Sequence, residues 1–527
     1  MAKTELFFEA DKQLLNPMIE GGEAALAQLA IGGSGCVWHR FVADTLTPVG
    51  AALRLMVPGR GDFLLESVEG GETRGRYSVI GLDPDLIFRA KGSRCEINRR
   101  WRSDRDAFQA VAGNPLDRLR ALHETCRFAP PAGLPPALAS LVGYLAHEAA
   151  TLAENLPTPA HDPLALPDIL FVRPTVLLVF DQLQDAVFCV APLWCDEVDK
   201  PDEAISAATW AISGTLSKLR ADASLGGIEV AETTSGADIP APSAVHPKPI
   251  VPAARYRDMV ERAQDRIKAG DIFQVVLAQR FTARFELPPF ALYRALRRIN
   301  PSPFLYFLDV PGFALVGSSP EILVRVRDGE VTIRPIAGTR PRRDTPAADR
   351  AAEAELLSDP KELAEHLMLL DLGRNDVGRV AERGSVKVTA SYTVERYSHV
   401  MHIVSNVTGR LPADTHALDA VMAGFPAGTV SGAPKIKACE IIADLEAEAR
   451  GPYAGAVGYF APDGSVDSCI VLRTAVVKDG VMHVTAGAGI VAESDPEAEH
   501  RECVAKAEAL FAAANEALRL AASPVTG

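Results

Sequence analysis

The segment SDPKELAEHLMLLDLGRNDVGR, residues 358–379, places an acid where acids are seldom found. Asp359 suits an N-cap, Pro360 suits a first turn whose N–H would be unpaired in any case, and Glu362 completes a capping-box-like pattern, so a helix starts here. At about 100° per residue, Leu363, Leu367 and Leu370 form one apolar stripe and Met368, Leu369 and Leu372 a second. Such a helix is expected to be buried on both sides. Glu365 falls inside the second stripe, and a carboxylate leaves water only where a cation or hydrogen-bond donors compensate. An internal salt bridge to Arg374 or Arg379 meets that condition as well as a metal or catalytic role does, and the helix alone leaves both open.

Other chemistry-bearing residues say less on their own. Glu321 reads as an exposed strand-end glutamate, and Glu502 with Lys506, four residues apart, as a solvated helical ion pair. His399 and His402 share one run, and a single histidine is more often a satisfied structural group than a catalyst. Gly487-Ala488-Gly489 has the look of a turn. In GTVSGAPK the lysine, Lys435, follows proline and no Ser or Thr comes next, which rules out a nucleotide-binding P-loop. The eight cysteines are scattered without a C-x-x-C pair, against both a disulfide framework and a zinc site.

The elements that must position these residues follow from pattern. A short helix is expected over Gly22–Ala30, with a Gly-rich turn at Gly32–Gly35. Aliphatic runs predict strands at Phe63–Glu69, Arg76–Leu82, Leu86–Ala90 and, as one run, Ile169–Asp181, with a helix at Leu116–Thr125. Residues 221–252 turn to Ala, Ser, Gly and Pro, the composition of a linker or surface loop. The chain is therefore divided into a β-rich domain over 1–220, this linker, and a second domain over 253–522.

In the second domain a helix is expected at Ala254–Ala269, then a strand at Asp271–Phe281 that carries Gln274 among apolar neighbours. FLYFLDV, FALVGSS, EILVRV and VTIRPIAGT follow as antiparallel strands between Phe304 and Thr339. A helix at Ile436–Ala449, strands around Ala456, Ile470 and Val481, and a last helix from Pro496 to Ala522 complete the chain. Strands in runs and helices in runs predict an α+β fold.

Of the 527 residues, 48% are hydrophobic and 23% charged, as in soluble globular proteins. The net charge of −14 disfavours nucleic acid and anionic membranes as partners, while a local basic pocket or a bound cation still admits a small anion. No window approaches the roughly 18 apolar residues of a spanning helix and no signal sequence is evident, so a cytoplasmic location is expected.

Taken together and in order, QVVLAQRF, NPSPFLYF, GSSPEILV, RPIAGTRPR, AEHLMLLDLGRND, YSHVMHIVS, GTVSGAPK, IVLRT, GAGIV and the Glu-x-x-x-Lys of the last helix resemble the chorismate-utilising enzymes, and most closely the branch that forms anthranilate. The match covers nearly all of Val251–Leu518 and, more sparsely, the N-terminal half. It implies large, mostly antiparallel sheets flanked by helices. It also implies a Mg²⁺ ion held by Glu365 and Glu502, and sparse carboxylate ligation suits a cation that keeps several waters.

By the same resemblance Glu321 is the general acid that protonates the hydroxyl leaving ring carbon 4, which demands a raised pKa. His402 stands near the ring, and Gln274 and Lys506 join the catalytic set. Arg473 and Tyr453 receive the enolpyruvyl side, helped by backbone N–H groups of Gly487, Ala488 and Gly489. Gly338 and Thr339 lie at the ring carboxylate, with Thr429 a further contact.

Two positions distinguish branches of the family. Members that add water carry a lysine where this chain has Gln274, and a neutral amide cannot be that base. Members that make 4-amino-4-deoxychorismate carry a nucleophilic lysine where this chain has Ala337. The resemblance thus implies ammonia as nucleophile and anthranilate and pyruvate as products. No G-x-C-x-G-x-Q-like glutaminase motif is present, so a separate glutamine amidotransferase subunit is expected. Glu66 and Ser67, with Pro303, Phe304 and Leu305, resemble the family's tryptophan-binding regulatory pocket. Phe304 and Leu305 replace the more usual Tyr and Met, which implies feedback inhibition without fixing its sensitivity.

Overall fold

The computed structural model describes residues 18–69, 73–197, 200–221, 244–397, 400–446 and 448–522. Most of the linker, 222–243, and His399 lie outside the described residues. Two twelve-stranded sheets carry the fold. The first runs in the order Gly35–Val42, Ala186–Leu193, Val176–Asp181, Thr73–Leu82, Phe63–Glu69, Phe304–Val310, Phe313–Ser319, Thr474–Lys478, Val481–Ile490, Gln274–Arg284, Lys248–Pro249, with Gly432–Ala433 also on the Gln274 strand. The second runs Ile336–Pro341, Val400–Arg410, Glu330–Ile333, Ile322–Arg327, Val466–Ile470, Ala456–Phe460, Leu141–Leu145, Ile169–Arg173, Leu86–Lys91, Arg94–Asn98, Gln109–Val111, with Lys387–Arg396 beside Val400–Arg410. The pairings are antiparallel, so the fold is α+β with large antiparallel sheets.

Alternation along the strands builds three layers of core. Phe63, Tyr306, Leu308 and Leu315 point into one cluster with Ile87, Tyr144 and Val457 of the second sheet, so the sheets pack face to face. Their neighbours Leu64, Leu305, Phe307 and Val316 point the other way, onto the helices Ala253–Lys268, Pro289–Ile299 and Pro496–Ala522. The outer face of the second sheet receives Pro115–Thr125, Ala417–Gly424 and the Glu365 helix. Burial on both faces explains the nearly continuous apolar strands.

Both sheets cross the linker. Phe63–Glu69 pairs with Phe304–Val310, and Leu141–Leu145 pairs with Ala456–Phe460, so each sheet takes strands from both halves of the chain. The end of the linker is not free chain: Val245 exchanges hydrogen bonds with Asn515 of the last helix (2.7 and 2.9 Å), and Lys248–Pro249 pairs with the Gln274 strand.

Three expected elements are corrected, two of them by proline. Ile169–Asp181 is two strands in different sheets, because Pro174 lacks the N–H that would continue a ladder. Pro335 also breaks VTIRPIAGT, into Glu330–Ile333 and Ile336–Pro341, which stay in one sheet and both pair with Val400–Arg410. The helix expected to Ala449 stops at Leu445.

Candidate active site

The Glu365 helix spans Pro360–Gly378 and starts as its sequence predicts: Asp359 accepts from the N–H groups of Lys361 (3.0 Å) and Glu362 (3.4 Å). It is not buried on both sides. His366, Leu369, Leu370, Gly373, Asp376 and Val377 form the inward face, whereas Leu367 is 50% exposed. Glu362 turns to Arg340 (2.9 Å), which also holds Asp359 (2.7 Å) and Glu355 (3.1 Å). The salt-bridge reading of Glu365 fails, since Arg374 pairs with Asp371 and Arg379 with Glu154.

Glu365 is surrounded by charges of both signs. Burial raises its pKa first, and the carboxylates of Glu362 and Glu502 raise it further, against Lys361 and Lys506. Two acids from distant helices therefore lie within each other's field. Glu499, half-buried on the last helix, is raised first by burial and then by Glu502. Sequence reasoning missed Glu362 and Glu499 as members of this cluster, although the repeated Glu-x-x-E spacing, 362/365 and 499/502, would have marked both. Lys506 is half-exposed, its ammonium between Glu502 (2.7 Å) and the Gly487 carbonyl (2.9 Å), which places it as a tether of the last helix to the Gly487 strand.

Hard oxygen donors that repel one another fit a Mg²⁺ ion that retains water. Among the described residues a different trio, His123, Glu124 and His416, brings ligand atoms within 4.8 Å of one another. Hydrogen bonds already use those imidazoles. Leu418 N–H donates to His416 Nδ1 (3.0 Å), so His416 Nε2–H donates to His123 Nδ1 (2.9 Å) and His123 Nε2–H to the Ala461 carbonyl (3.0 Å). That trio has no imidazole lone pair to spare.

Next to the acidic cluster stands a mixed polar group. Gly338 adopts φ +71° at a bulge, and a Cβ there would come within 3.2 Å of Glu362 Oε2. Its carbonyl lies 3.3 Å from His402 Nδ1, with Thr339 Oγ1 at 3.0 Å. A carbonyl only accepts, so Nδ1 carries the proton and Nε2 keeps its lone pair. Burial, with help from the nearby Arg473 charge, lowers the His402 pKa and keeps the ring neutral. The Tyr397 ring meets it edge-on at 5.6 Å, and Tyr397 in turn feels Glu321. Tyr397 was another member the sequence reading missed.

Glu321 is buried, not exposed. Desolvation lifts its carboxyl to about 8, opposed by Thr429 Oγ1, which lies 3.1 and 3.2 Å from its two oxygens. Arg473, at φ +46°, has no side-chain hydrogen bond or ion pair among the described residues, and burial lowers its pKa. A desolvated, unpaired guanidinium is a receptor for an anion.

The remaining residues border this region. Gly487-Ala488-Gly489 is not a turn; it lies in Val481–Ile490, paired with the Gln274 strand. Thr474–Lys478 stops pairing with it at Val484, which leaves the Gly487–Gly489 backbone a strand neighbour on one side only. A Cβ on Gly487 would meet the Tyr453 hydroxyl at 2.8 Å and the Leu277 carbonyl at 2.9 Å, so that position needs glycine, whereas one on Gly489 would meet Gln274 Nε2 at 2.6 Å and displace that amide. Gln274 is buried with its Oε1 unpartnered.

The family model of the chorismate binding enzyme matches residues 61–512. The chain belongs to the chorismate binding enzyme family. Within that family it is similar to the anthranilate synthase component 1 of Cereibacter sphaeroides, 52% identical over 491 residues that cover 92% of this chain and 95% of that one. That of Thermus thermophilus is 45% identical over 476 residues, covering 90% and 96%. The crystal structure of anthranilate synthase component I from Streptococcus pneumoniae superposes with a TM-score of 0.73 at 35% identity, covering 88% of this chain and 97% of that one.

The expected regulatory residues also meet, at the strand pair that joins the two halves. Glu66 is opposite Leu305 and Phe304 opposite Ser319, two residues before Glu321. The Glu66 carboxylate is buried and accepts from the Tyr293 hydroxyl (2.5 Å) and from Arg297 (2.7 and 2.9 Å). Ser67 is half-buried and packs on Gly75, while Pro303 and Phe304 are half-buried at the strand start.

Proposed function

We propose that this protein joins ammonia to chorismate and releases anthranilate and pyruvate; the relatives it resembles are named anthranilate synthase component 1, which gives the anthranilate product for them. The observation that carries the reading is Glu321: a buried carboxyl lifted to about 8 is protonated at neutral pH and able to give its proton to a departing hydroxyl. Ammonia adds at ring carbon 2 while the carbon 4 hydroxyl leaves as water. Loss of the carbon 2 proton and of pyruvate then aromatises the ring. His402, neutral and with Nε2 free, is suited to accept that proton, and Arg473 with Tyr453 to hold the enolpyruvyl carboxylate. Glu365 and Glu502 would hold one Mg²⁺, which when bound supplies counter-charge to the ring carboxylate.

The absence of a lysine at Gln274 and Ala337 supports ammonia over water as nucleophile and direct attack over a covalent intermediate. The relatives' name, component 1, and the lack of a glutaminase motif support a separate amidotransferase as the nitrogen source. The assay is anthranilate fluorescence from chorismate, ammonium and Mg²⁺. Turnover with ammonium but not with glutamine is the expected result; 4-amino-4-deoxychorismate as the end product on chromatography would sink the reading. Eight unpaired cysteines suit a reducing compartment such as the cytoplasm, and no described helix is long and apolar enough to cross a membrane.

Feedback by tryptophan belongs to the same proposal. The Glu66–Leu305 pair and the Phe304–Ser319 hairpin give a short path to the acid: Ser319 Oγ lies 3.4 Å from the Glu321 N–H, and Ser318 N–H donates to the Arg473 carbonyl (3.2 Å). Glu66→Gln weakens a charge-assisted contact, and the tryptophan concentration for half inhibition is expected to rise about ten- to a hundredfold. An unchanged inhibition curve would place the inhibitor elsewhere.

A further inference from the structure

We propose that Arg450 is a positioning residue of this active site, clamping the Thr429 loop to the Gln274 strand and to Tyr453. The inference rests on the functional reading above. Its side chain is 2% exposed and lies five residues beyond the Lys435–Leu445 helix. The guanidinium donates to the Val430 carbonyl (2.7 Å), next to Thr429, and to the Val276 carbonyl (2.7 Å), two residues from Gln274. Glu446 takes it in a fork (2.5 and 2.9 Å) and also accepts the Ala278 N–H (2.8 Å).

These bonds close a gap in the sheet. The outer edge of the Gln274 strand is paired at Gln274–Val275 and again at Phe281–Thr282. Between them Val276 N–H donates to Ser431 (2.9 Å), Arg450 donates to the Val276 carbonyl, Glu446 accepts the Ala278 N–H, and Ile250 N–H donates to the Arg280 carbonyl (2.9 Å). Beyond the side chain, the Arg450 and Gly451 N–H groups both donate to Glu148 (2.8 and 3.0 Å), which fixes the turn leading to Tyr453. The Tyr453 ring lies 5.6 Å from the guanidinium. One planar group thus sets the distance between the hydroxyl that holds the acid, the Gln274 amide and an expected substrate contact. A buried ion pair adds little net stability compared with an apolar substitute, so placement is the function this group is left with. A lysine keeps the charge but is a point donor and cannot hold both carbonyls and the Glu446 fork together.

The test is a double-mutant cycle with Thr429→Val, read as kcat and KM for chorismate with ammonium. Arg450→Lys is expected to lower kcat between about ten- and a hundredfold, with a smaller change in KM. Because it acts through the Thr429 loop, Arg450→Lys should cost little more in a Thr429→Val background, whereas a residue that only supports the fold gives losses that multiply. Multiplying losses, or an Arg450→Lys enzyme with wild-type kcat, overturns the proposal. Should Arg450→Lys not fold, Glu446→Gln enters the same cycle with the same two outcomes. Absence of turnover in the wild-type protein overturns the functional reading and this inference with it.

Discussion

Glu321→Gln is expected to lower kcat by about 10²–10⁴-fold while chorismate still binds. Glutamine keeps the size and the Thr429 contact but cannot release a proton to the leaving hydroxyl. In the wild type the acid must be protonated, and burial holds its pKa at about 8. Activity is therefore expected to fall as pH rises through about 8, and that alkaline limb should vanish in the residual activity of Glu321→Gln. Stability follows the same sign. A carboxyl whose folded pKa lies above its unfolded value of 4.5 contributes stability that is complete below 4.5 and lost as pH rises to about 8. The melting temperature of the wild type should thus drop relative to Glu321→Gln across that window. A flat difference between the two melting curves from pH 5 to 8.5 would show that the carboxyl is not held neutral by burial.

How far the sequence reveals this site depends on the kind of signal each residue carries. The Glu365 helix was visible because a proline, a cap and apolar spacing are local features. Its one-sided burial was not, because exposure of Leu367 depends on which faces receive a neighbour. Glu321 read alone is an exposed acid, and its burial beside Thr429, a residue far along the chain, comes only with the tertiary fold. Antiparallel α+β architecture was legible from runs of strands. The crossing of both sheets over the linker was not, since the pairing of Phe63–Glu69 with Phe304–Val310 spans more than two hundred residues that carry no local mark of it. Prolines 174 and 335 were visible breakers whose consequence, a change of strand, was underread. Arg450 gave no signal at all, because an i, i+4 Glu–Arg pair is common on helix surfaces and only burial makes this one different.

The acidic cluster yields the second large effect. Glu365→Gln and Glu502→Gln are each expected to lower kcat/KM about a hundredfold or more at a fixed, low Mg²⁺ concentration, and chelation of the wild type to do the same. The double variant should be little worse than either single one, since loss of the ion is the shared cause. A readout independent of turnover comes from repulsion. Glu362 and Glu502 raise the Glu365 pKa after burial does, so without a cation the ionised cluster opposes the packing of its two helices. In EDTA at pH 8, Glu365→Gln is therefore expected to melt above the wild type. Adding Mg²⁺ should reverse the order, because an ion bound only by the folded state stabilises by about 2.7 kcal/mol at a hundred times its Kd. Wild-type melting that ignores both EDTA and Mg²⁺ would mean that Lys361 and Lys506 already neutralise the carboxylates and that no divalent ion is gripped between the two helices.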